Sequence, residues 1–530
     1  MEHMRNRLAV LRLLLVFCFC GAAAWLAWLA QRSDLVQTAA KQGTYTCCAG
    51  TASGTIYDRN GVPLTNEQSV CTAVISPTPE AIAALLTHVP NPTEFCAKAE
   101  EGKPFVWQVD TAEIDCPDVT VLQIPRRYSS RQPAQHLIGY TSQGVGVAGL
   151  EADYDSILRS VDSRWSVTFS VDGSGSALAG EGKLIRYGEN PTAGIFTTLD
   201  THVQRICEAA GSRLEKGCIV VMEVSSGDIL GLASFPSYTA DTLEEALQDP
   251  DSPMINRALY AYPVGSIFKL VTAACAKDSG LADTFQWDCT GTISVEGQLF
   301  RCHDVQGHGR QTMPLAMRNS CNPFFIQLSQ RLSGTALRQT AQALGFGQEI
   351  PLTTGQVASS GTLPTLQQLR LPAERANFSF GQGILTATPL QITRMTCAIA
   401  GDGTLPEVRL VRGITEDGRN VLRETPAHHS QGISAETAAY LRSLMCYAAA
   451  DSDFAGKPRH VPMGAKTSTA QTGRFDEDGE EICHGWVTAF FPVSNPRYAV
   501  TVLAEDGGYG NVSAAPVLRQ IAGALMQAES

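Results

Sequence analysis

Apolar residues run unbroken at the start of the chain, then fall into short alternating groups, and take up helical spacing only further on. From Leu13 to Ala30 the stretch LLLVFCFCGAAAWLAWLA carries no charge over 18 residues, with Leu8 to Leu11 leading in and Arg12 the single interruption. At about 1.5 Å per residue such a helix just spans a bilayer. Arg5, Arg7 and Arg12 precede it while Arg32 and Asp34 follow, so the cationic excess lies on the N-terminal side, and Trp25 and Trp28 suit the outer interface. The pattern predicts a single-pass protein of the cytoplasmic membrane, tail inside, with everything from about Gln31 onward extracytoplasmic. The run exceeds the roughly 7 to 15 residues of a cleavable signal core. Ala22, Ala23 and Ala24 leave cleavage open, and a buried helix is the remaining alternative.

Residues 32 to about 195 are rich in Gly, Pro, Thr and Ser with short β-like runs, which predicts an irregular, strand-rich domain. GTIYDRNGVPL (Gly54 to Leu64) reads as a hairpin or as a simple turn at Asp58 to Gly61. Short helices are expected over Thr78 to Leu86, with Thr78 as cap and Pro79 in the first turn, and over Leu150 to Leu158. TSQGVGVAGL between them reads as a Gly-rich, flexible connector. After Gly194 a strand leads into a helix capped by Asp200 or Thr201, and CIVVMEVSSGDILGLASF is a hairpin turning at Ser225-Ser226-Gly227-Asp228. GAKTSTAQTG, HGWVTAFFP and RYAVTVLAE are three further strands, and Ala514 to Ala528 is an amphipathic helix. An antiparallel sheet flanked by helices is the simplest α+β assembly, over residues 196–530, behind a domain at 32–195 and an anchor at 1–31.

Composition narrows the function more than the fold. With 40 Lys plus Arg against 52 Asp plus Glu in 530 residues, the formal charge is −12 and no cationic patch offers itself to phosphates, so no nucleic-acid partner is expected. Sixteen cysteines are too few and too scattered for a disulfide scaffold. Cys18 and Cys20 lie in the apolar run; of the others, Cys289 and Cys302 are one candidate pair, and buried small hydrophobes the plainer reading. Cys289, Cys302, His303, Asp304, His308, Cys483 and His484 flank the segments that carry chemistry. Their spacings fit no standard zinc pattern, so no metal ligand is assigned and no cofactor is required, with zinc on this Cys/His cluster left open.

The chemistry begins at YPVGSIFKLVTAACA. Pro263 and Gly265 break the chain, Ser266 sits at a helix start, and Lys269 follows on the same helical face. A buried lysine loses its proton readily and can then act as base to the neighbouring alcohol, while the helix N-terminus favours developing negative charge. One S-x-x-K occurs by chance in a chain of this length, and alone would be a cap serine with a surface lysine. Ser320-Cys321-Asn322 adds a hydroxyl and an amide on one loop, suited to proton shuttling and to holding a substrate amide. Lys466-Thr467-Ser468 adds a cation and hydroxyls on a strand edge, suited to an extended peptide with a terminal carboxylate. Order and separation of the three are the specific signal.

With these triplets the chain resembles the class B penicillin-binding proteins, bitopic peptidoglycan transpeptidases marked by S-x-x-K, S-x-N and K-T-G. The resemblance extends over GTIYDRNG and PRRYSSRQPAQHLIGYTSQGVGVAGLEADYD in the first exported domain and VMEVSSGDILGLASFPSY, SFGQGILTATPLQ and HGWVTAFFP in the second. It implies the penicillin-binding transpeptidase fold behind a strand-rich pedestal. It also implies that Ser266 attacks the penultimate D-alanine carbonyl of a stem peptide while Lys269 takes its proton. Ser320 relays a proton to the leaving amine, supported by Lys466; Asn322 positions the peptide; Thr467 and Thr469 contact its carboxylate; and the N–H groups of Ser266 and Thr469 form the oxyanion hole. A second stem peptide resolves the ester, and β-lactams acylate Ser266. No stretch is large enough for a glycosyltransferase domain, so the resemblance implies a multispanning membrane glycosyltransferase of the shape, division or sporulation machinery as partner.

Three departures qualify the pattern. Ser468 stands where the family has glycine, on a strand that passes close to the nucleophile, where a side chain pointing inward would alter acylation. Val264 replaces a frequent proline, and Ser53 a frequent arginine. Hydrolytic use of the same site, as carboxypeptidase or β-lactamase, and a catalytically weak scaffold are the alternatives. No segment supplies a deacylating base, and retention of Ser266, Lys269, Ser320, Asn322 and Lys466 argues against decay.

Overall fold

A computed structural model describes residues 2–32, 43–161, 163–178 and 182–528. Asp34, counted above on the far side of the apolar run, lies outside them. The N-terminal helix is Glu2–Ala30, 29 residues with no buried residue and an 18-residue stretch of mean hydropathy 2.3, long and apolar enough to cross a membrane. Trp25 and Trp28 pack ring to ring on its last turns.

The chain forms two compact units that no single cut near residue 195 separates: Met1–Ser53, Asn66–Arg127 and Asp162–Pro191 make one, and Gly54–Thr65, Tyr128–Val161 and Thr192–Ser530 the other. A division at 195/196 would split the strand Gly194–Thr197. Thr55–Tyr57 pairs parallel with that strand and Val411–Thr415 pairs antiparallel with it. GTIYDRNGVPL also closes as a short hairpin around its turn: Asp58 accepts hydrogen bonds from the N–H groups of Asn60 and Val62, Asp58 N–H donates to the Val62 carbonyl, Leu64 N–H donates to the Ile56 carbonyl, and Tyr57 bridges Pro63. Strand pairing between residues about 140 apart leaves no local trace in the sequence.

The first unit is strand-rich, as expected. Thr44–Ala52, Ser163–Ser170 and Leu184–Arg186 form one antiparallel sheet, and Phe105–Val109, Gln68–Ile75 and Val119–Arg126 another. The helix Pro79–Leu85 is capped by Thr78, whose hydroxyl accepts from Ala81 N–H.

The second unit is built on a five-stranded antiparallel sheet. Its strands are β1 (Gly217–Glu223), β2 (Ile229–Phe235), β3 (Gly464–Phe475), β4 (Glu481–Phe491) and β5 (Tyr498–Ala504), in the order β2-β1-β5-β4-β3. The period of two assigns the faces. Ile219, Val221, Val500 and Val502 pack toward the helices α1 (Thr201–Gly211) and α6 (Ala515–Gln527). Cys218, Val220, Met222 and Leu503 pack into the larger core with α2 (Lys269–Asp278), α4 (Pro389–Ala400) and α5 (Ala435–Ala449). Both faces are covered, which is why these strands read as continuous apolar runs. Asp200, rather than Thr201, caps α1 through the N–H groups of His202 and Val203.

Two local expectations change. Leu150 to Leu158 is two short helices, Gly149–Asp153 and Asp155–Leu158. The Gly-rich segment before them is closely packed rather than a flexible connector: a Cβ at Gly139 would lie 1.9 Å from the Ala148 carbonyl oxygen, and one at Gly146 2.0 Å from that of Glu151.

Candidate active site

The turn that carries Ser266 is made by glycine. Tyr262–Pro263 pairs with Thr386–Ala387, and Gly265 then adopts φ +62°, a left-handed conformation that other residues take only with strain. A 3₁₀ turn over Gly265–Phe268 runs directly into α2. In 3₁₀ geometry residues three apart eclipse, so Ser266 and Lys269 project from the same side of the turn. Ile267 and Phe268 are fully buried and fix the turn, leaving Ser266 half-buried on a cleft of about 1380 Å³. Behind it, Gly265 N–H donates to the Gly381 carbonyl at 2.9 Å, and a Cβ at Gly381 would lie 1.9 Å from the Gly265 oxygen. The SFGQG segment is the backing of this turn, a role its sequence did not disclose.

Lys269 is fully buried below the cleft. Its amine lies 2.6 Å from the Ser320 carbonyl oxygen, 2.7 Å from Asn322 Oδ1 and 3.1 Å from Ser320 Oγ, with the Phe325 ring centre 5.6 Å away. Burial, and then the neighbouring Lys466 charge, hold it well below the ordinary lysine range. A neutral amine donates two hydrogens, to the Ser320 carbonyl and Asn322 Oδ1, and keeps a lone pair for a hydroxyl proton. The Ser266 hydroxyl has no hydrogen-bond partner among the described residues. Ser320 itself is held at φ +49°, between the helix Met313–Arg318 and α3 (Asn322–Ser329). Such backbone strain persists only where surrounding structure imposes it. Lys466 reaches the same hydroxyl from β3, its Nζ 3.2 Å from Ser320 Oγ and 2.9 Å from the Thr467 carbonyl, and burial pushes its amine down to about 8.

β3 is the sheet's edge strand, and Lys466, Thr467, Ser468 and Thr469 all line the cleft. Thr467 and Thr469 are partly exposed on one face, while Lys466 and Ser468 are buried on the other. Thr469 Oγ1 accepts from Gly510 N–H at 3.4 Å. Ser468, in place of the family's glycine, points at the Ser266 turn: its Oγ donates to the Val264 carbonyl at 2.8 Å. It ties β3 to the residue before Gly265 and leaves the cleft open. Ser468→Gly should therefore lower stability by about 1 kcal/mol, from a lost buried hydrogen bond and added chain freedom, as read from the unfolding midpoint in denaturant. An unchanged midpoint would mean that the tie contributes nothing.

The Cys/His group resolves differently from its sequence order. Cys289, Cys302 and His308 converge, joined by Cys321, which motif reading had treated only as the middle of Ser-Cys-Asn. His303 is the neighbour of this group, its Nδ1 4.0 Å from Cys302 Sγ, while Asp304 turns to accept from Gln306 N–H. Cys483 and His484 stand apart on β4, where His484 Nδ1 accepts from Asp506 N–H and the ring packs against Tyr262. No cysteine is in a disulfide among the described residues, Cys289 and Cys302 included.

Comparison with known proteins places this geometry. The penicillin-binding protein transpeptidase domain matches residues 217–523. The peptidoglycan D,D-transpeptidase PbpA of Mycolicibacterium smegmatis is 30% identical over 435 residues, 76% of this chain and 84% of its own. Penicillin-binding protein A of M. tuberculosis, solved as a ceftriaxone acyl-enzyme complex, aligns with a TM-score of 0.66 at 24% identity over 90% of this chain and 98% of its own. A chain from a peptidoglycan synthase complex that coordinates polymerization and crosslinking aligns at a TM-score of 0.69 and 25% identity over 97% of this chain and 98% of its own. The fold and site define a penicillin-binding transpeptidase. The chain belongs to that family, within it to the class B penicillin-binding proteins.

Proposed function

We propose that this protein cross-links peptidoglycan stem peptides through an acyl-enzyme on Ser266. The observation that carries the reading is the convergence of Lys269, Ser320, Asn322 and Lys466 into one hydrogen-bonded cluster beside Ser266. Neutral Lys269 takes the Ser266 proton as Oγ attacks the penultimate D-alanine carbonyl. The oxyanion forms toward the N–H groups of Ser266 and Thr469, where donors act on charge that develops only in the transition state. Ser320, between the two lysines, passes a proton to the departing D-alanine amine. Asn322 holds the donor peptide, and Thr467 and Thr469 meet its carboxylate beside the Lys466 charge. The amine of a second stem then attacks the ester, restoring Ser266 and forming the cross-link, and β-lactams stop at the ester. Glu2–Ala30 anchors the protein in the cytoplasmic membrane with its tail inside. Polymerisation falls to a multispanning membrane glycosyltransferase, a pairing supported by the likeness to a chain of a peptidoglycan synthase complex.

The test is incubation of the full chain with a fluorescent penicillin, followed by intact mass and peptide mapping, beside turnover of a pentapeptide ending in D-Ala-D-Ala with an amine acceptor. One durable adduct on the Ser266 peptide and an aminolysis product are expected. An adduct on another residue, or water as the sole acceptor, would overturn the reading.

A pH dependence follows. Acylation needs Lys269 neutral and Lys466 charged. Below the lowered value of Lys269 both amines hold protons and no base exists; above about 8 Lys466 gives up its charge. The penicillin acylation rate constant should rise from acid pH and fall again on an alkaline limb near 8, in a stopped-flow or quench series. A rate that stays level from there to pH 10 would exclude the Lys466 charge from the mechanism.

A further inference from the structure

Next to Ser320 and Asn322 lies a donor set that the proposed acyl transfer does not use. Cys289, Cys302, His308 and Cys321 bring three thiols and one imidazole to a point, all four ligand atoms within 4.8 Å of one another. The three cysteines are 2%, 4% and 0% exposed, and His308 is half-buried. With zinc–sulfur distances of about 2.3 Å and zinc–nitrogen distances of about 2.0–2.1 Å, the edges of a tetrahedral site run to roughly 3.5–3.8 Å. Cys302 Sγ already stands 3.4 Å from His308 Nδ1. A disulfide would use two of the thiols and strand the third beside the imidazole; one zinc ion uses all four donors.

We propose that these four residues form a closed structural zinc site that fixes the loop carrying Ser320 and Asn322. The ligands come from separate pieces of backbone. Cys289 ends the strand Trp287–Cys289, Cys302 follows Gln298–Arg301, His308 precedes Gly309–Gln311, and Cys321 is the residue before α3. The pieces are pressed together: Cys302 N–H donates to the Gly291 carbonyl at 2.8 Å, and a Cβ at Gly307 would lie 2.3 Å from the Cys289 oxygen. Four protein ligands leave no open coordination position, so the metal activates no water and takes no part in acyl transfer. Its effect is mechanical. A bond at Cys321 holds the peptide between left-handed Ser320 and Asn322, whose side chains face Lys269. The spacing Cys-x12-Cys-x5-His-x12-Cys matches no common finger, because the site closes through the hairpins and the start of α3 rather than along one local loop.

Metal content is independent of which residue is the nucleophile, so the test stands apart from the activity. The full chain, purified in detergent without chelator and under reducing conditions, should carry about one zinc by plasma mass spectrometry. Exchange of that zinc for cobalt should give the visible bands of a tetrahedral cobalt ion with thiolate charge transfer, a measurement that needs no variant. Cys289→Ser and His308→Ala should each lose at least half of the bound zinc, whereas Cys483→Ser and His303→Ala should retain it. Chelation should slow penicillin acylation, and added zinc should restore it. A chain that takes up no stoichiometric zinc, a cobalt spectrum without thiolate charge transfer, or a disulfide among these cysteines in the reduced preparation would overturn the site. Equal zinc in the Cys289→Ser and Cys483→Ser chains would do the same.

Discussion

Lys269→Met should slow acylation of Ser266 by about a thousandfold, within the range of roughly 10² to 10⁴ that a positioned general base contributes. Methionine keeps the length and apolar stem of the side chain, but its thioether is far too weak a base to take the Ser266 proton. It also removes the donor that holds the Ser320 carbonyl and Asn322 Oδ1. Leaving buried acceptors unpaired costs about 1–3 kcal/mol, and relief from burying an amine offsets it, so the variant should fold. Its stability should differ from the parent's mainly in pH dependence. Lys269 titrates well below 10.5 in the folded protein and near 10.4 when unfolded, so the unfolded chain binds the extra proton between those values. Parent stability therefore rises with pH across that window, by up to about 1.4 kcal/mol per pH unit, and this contribution vanishes in Lys269→Met. Lys466 adds a similar rise between about 8 and its unfolded value in both proteins. Acylation within tenfold of the parent, measured by fluorescent penicillin, would remove Lys269 as the base.

What the sequence disclosed and what it hid follow one physical division. β1 and β2 were legible because the apolar runs are local and the turn Ser225-Ser226-Gly227-Asp228 lies between them. The order of the three triplets in the sequence pointed to one site, and the structure places Ser266, Ser320, Asn322 and Lys466 on a single cleft with Lys269 buried against Ser320 and Asn322. What it hid depends on contacts between distant segments. Gly54 to Leu64 reads as a hairpin or a turn, and nothing in it shows that Thr55–Tyr57 also pairs with Gly194–Thr197. The direction of the Ser468 side chain could not be read from a triplet; it depends on how β3 meets the nucleophile turn. Cys321 was overlooked because its ligand partners lie 13 to 32 residues earlier on other elements. A residue between two recognised motif positions draws attention to them and away from itself.

Gly265→Ala should cost more than its one methyl group suggests, because two constraints meet at that position. At φ +62° an alanine pays about 1–2 kcal/mol for a left-handed backbone. Its Cβ would also stand 2.4 Å from Ser468 Oγ and 3.2 Å from Ala470 Cα. The hydroxyl cannot swing aside freely, since it is bonded to the Val264 carbonyl one residue before the glycine. The turn must therefore shift, and with it the Ser266 N–H and Oγ. A displacement of about 1 Å at a reacting group is enough to lower a rate by about a hundredfold. Acylation slower by about that factor is expected for the full chain, with the unfolding free energy lowered by about 2–3 kcal/mol. The double variant Gly265→Ala/Ser468→Gly separates the two causes: removing the hydroxyl relieves the 2.4 Å contact but leaves the backbone strain. It should regain part of the acylation rate and little of the stability. If the double variant acylates no faster than Gly265→Ala, the Ser468 contact is not what displaces the turn. If Gly265→Ala acylates at the parent rate, the left-handed glycine does not set the position of Ser266.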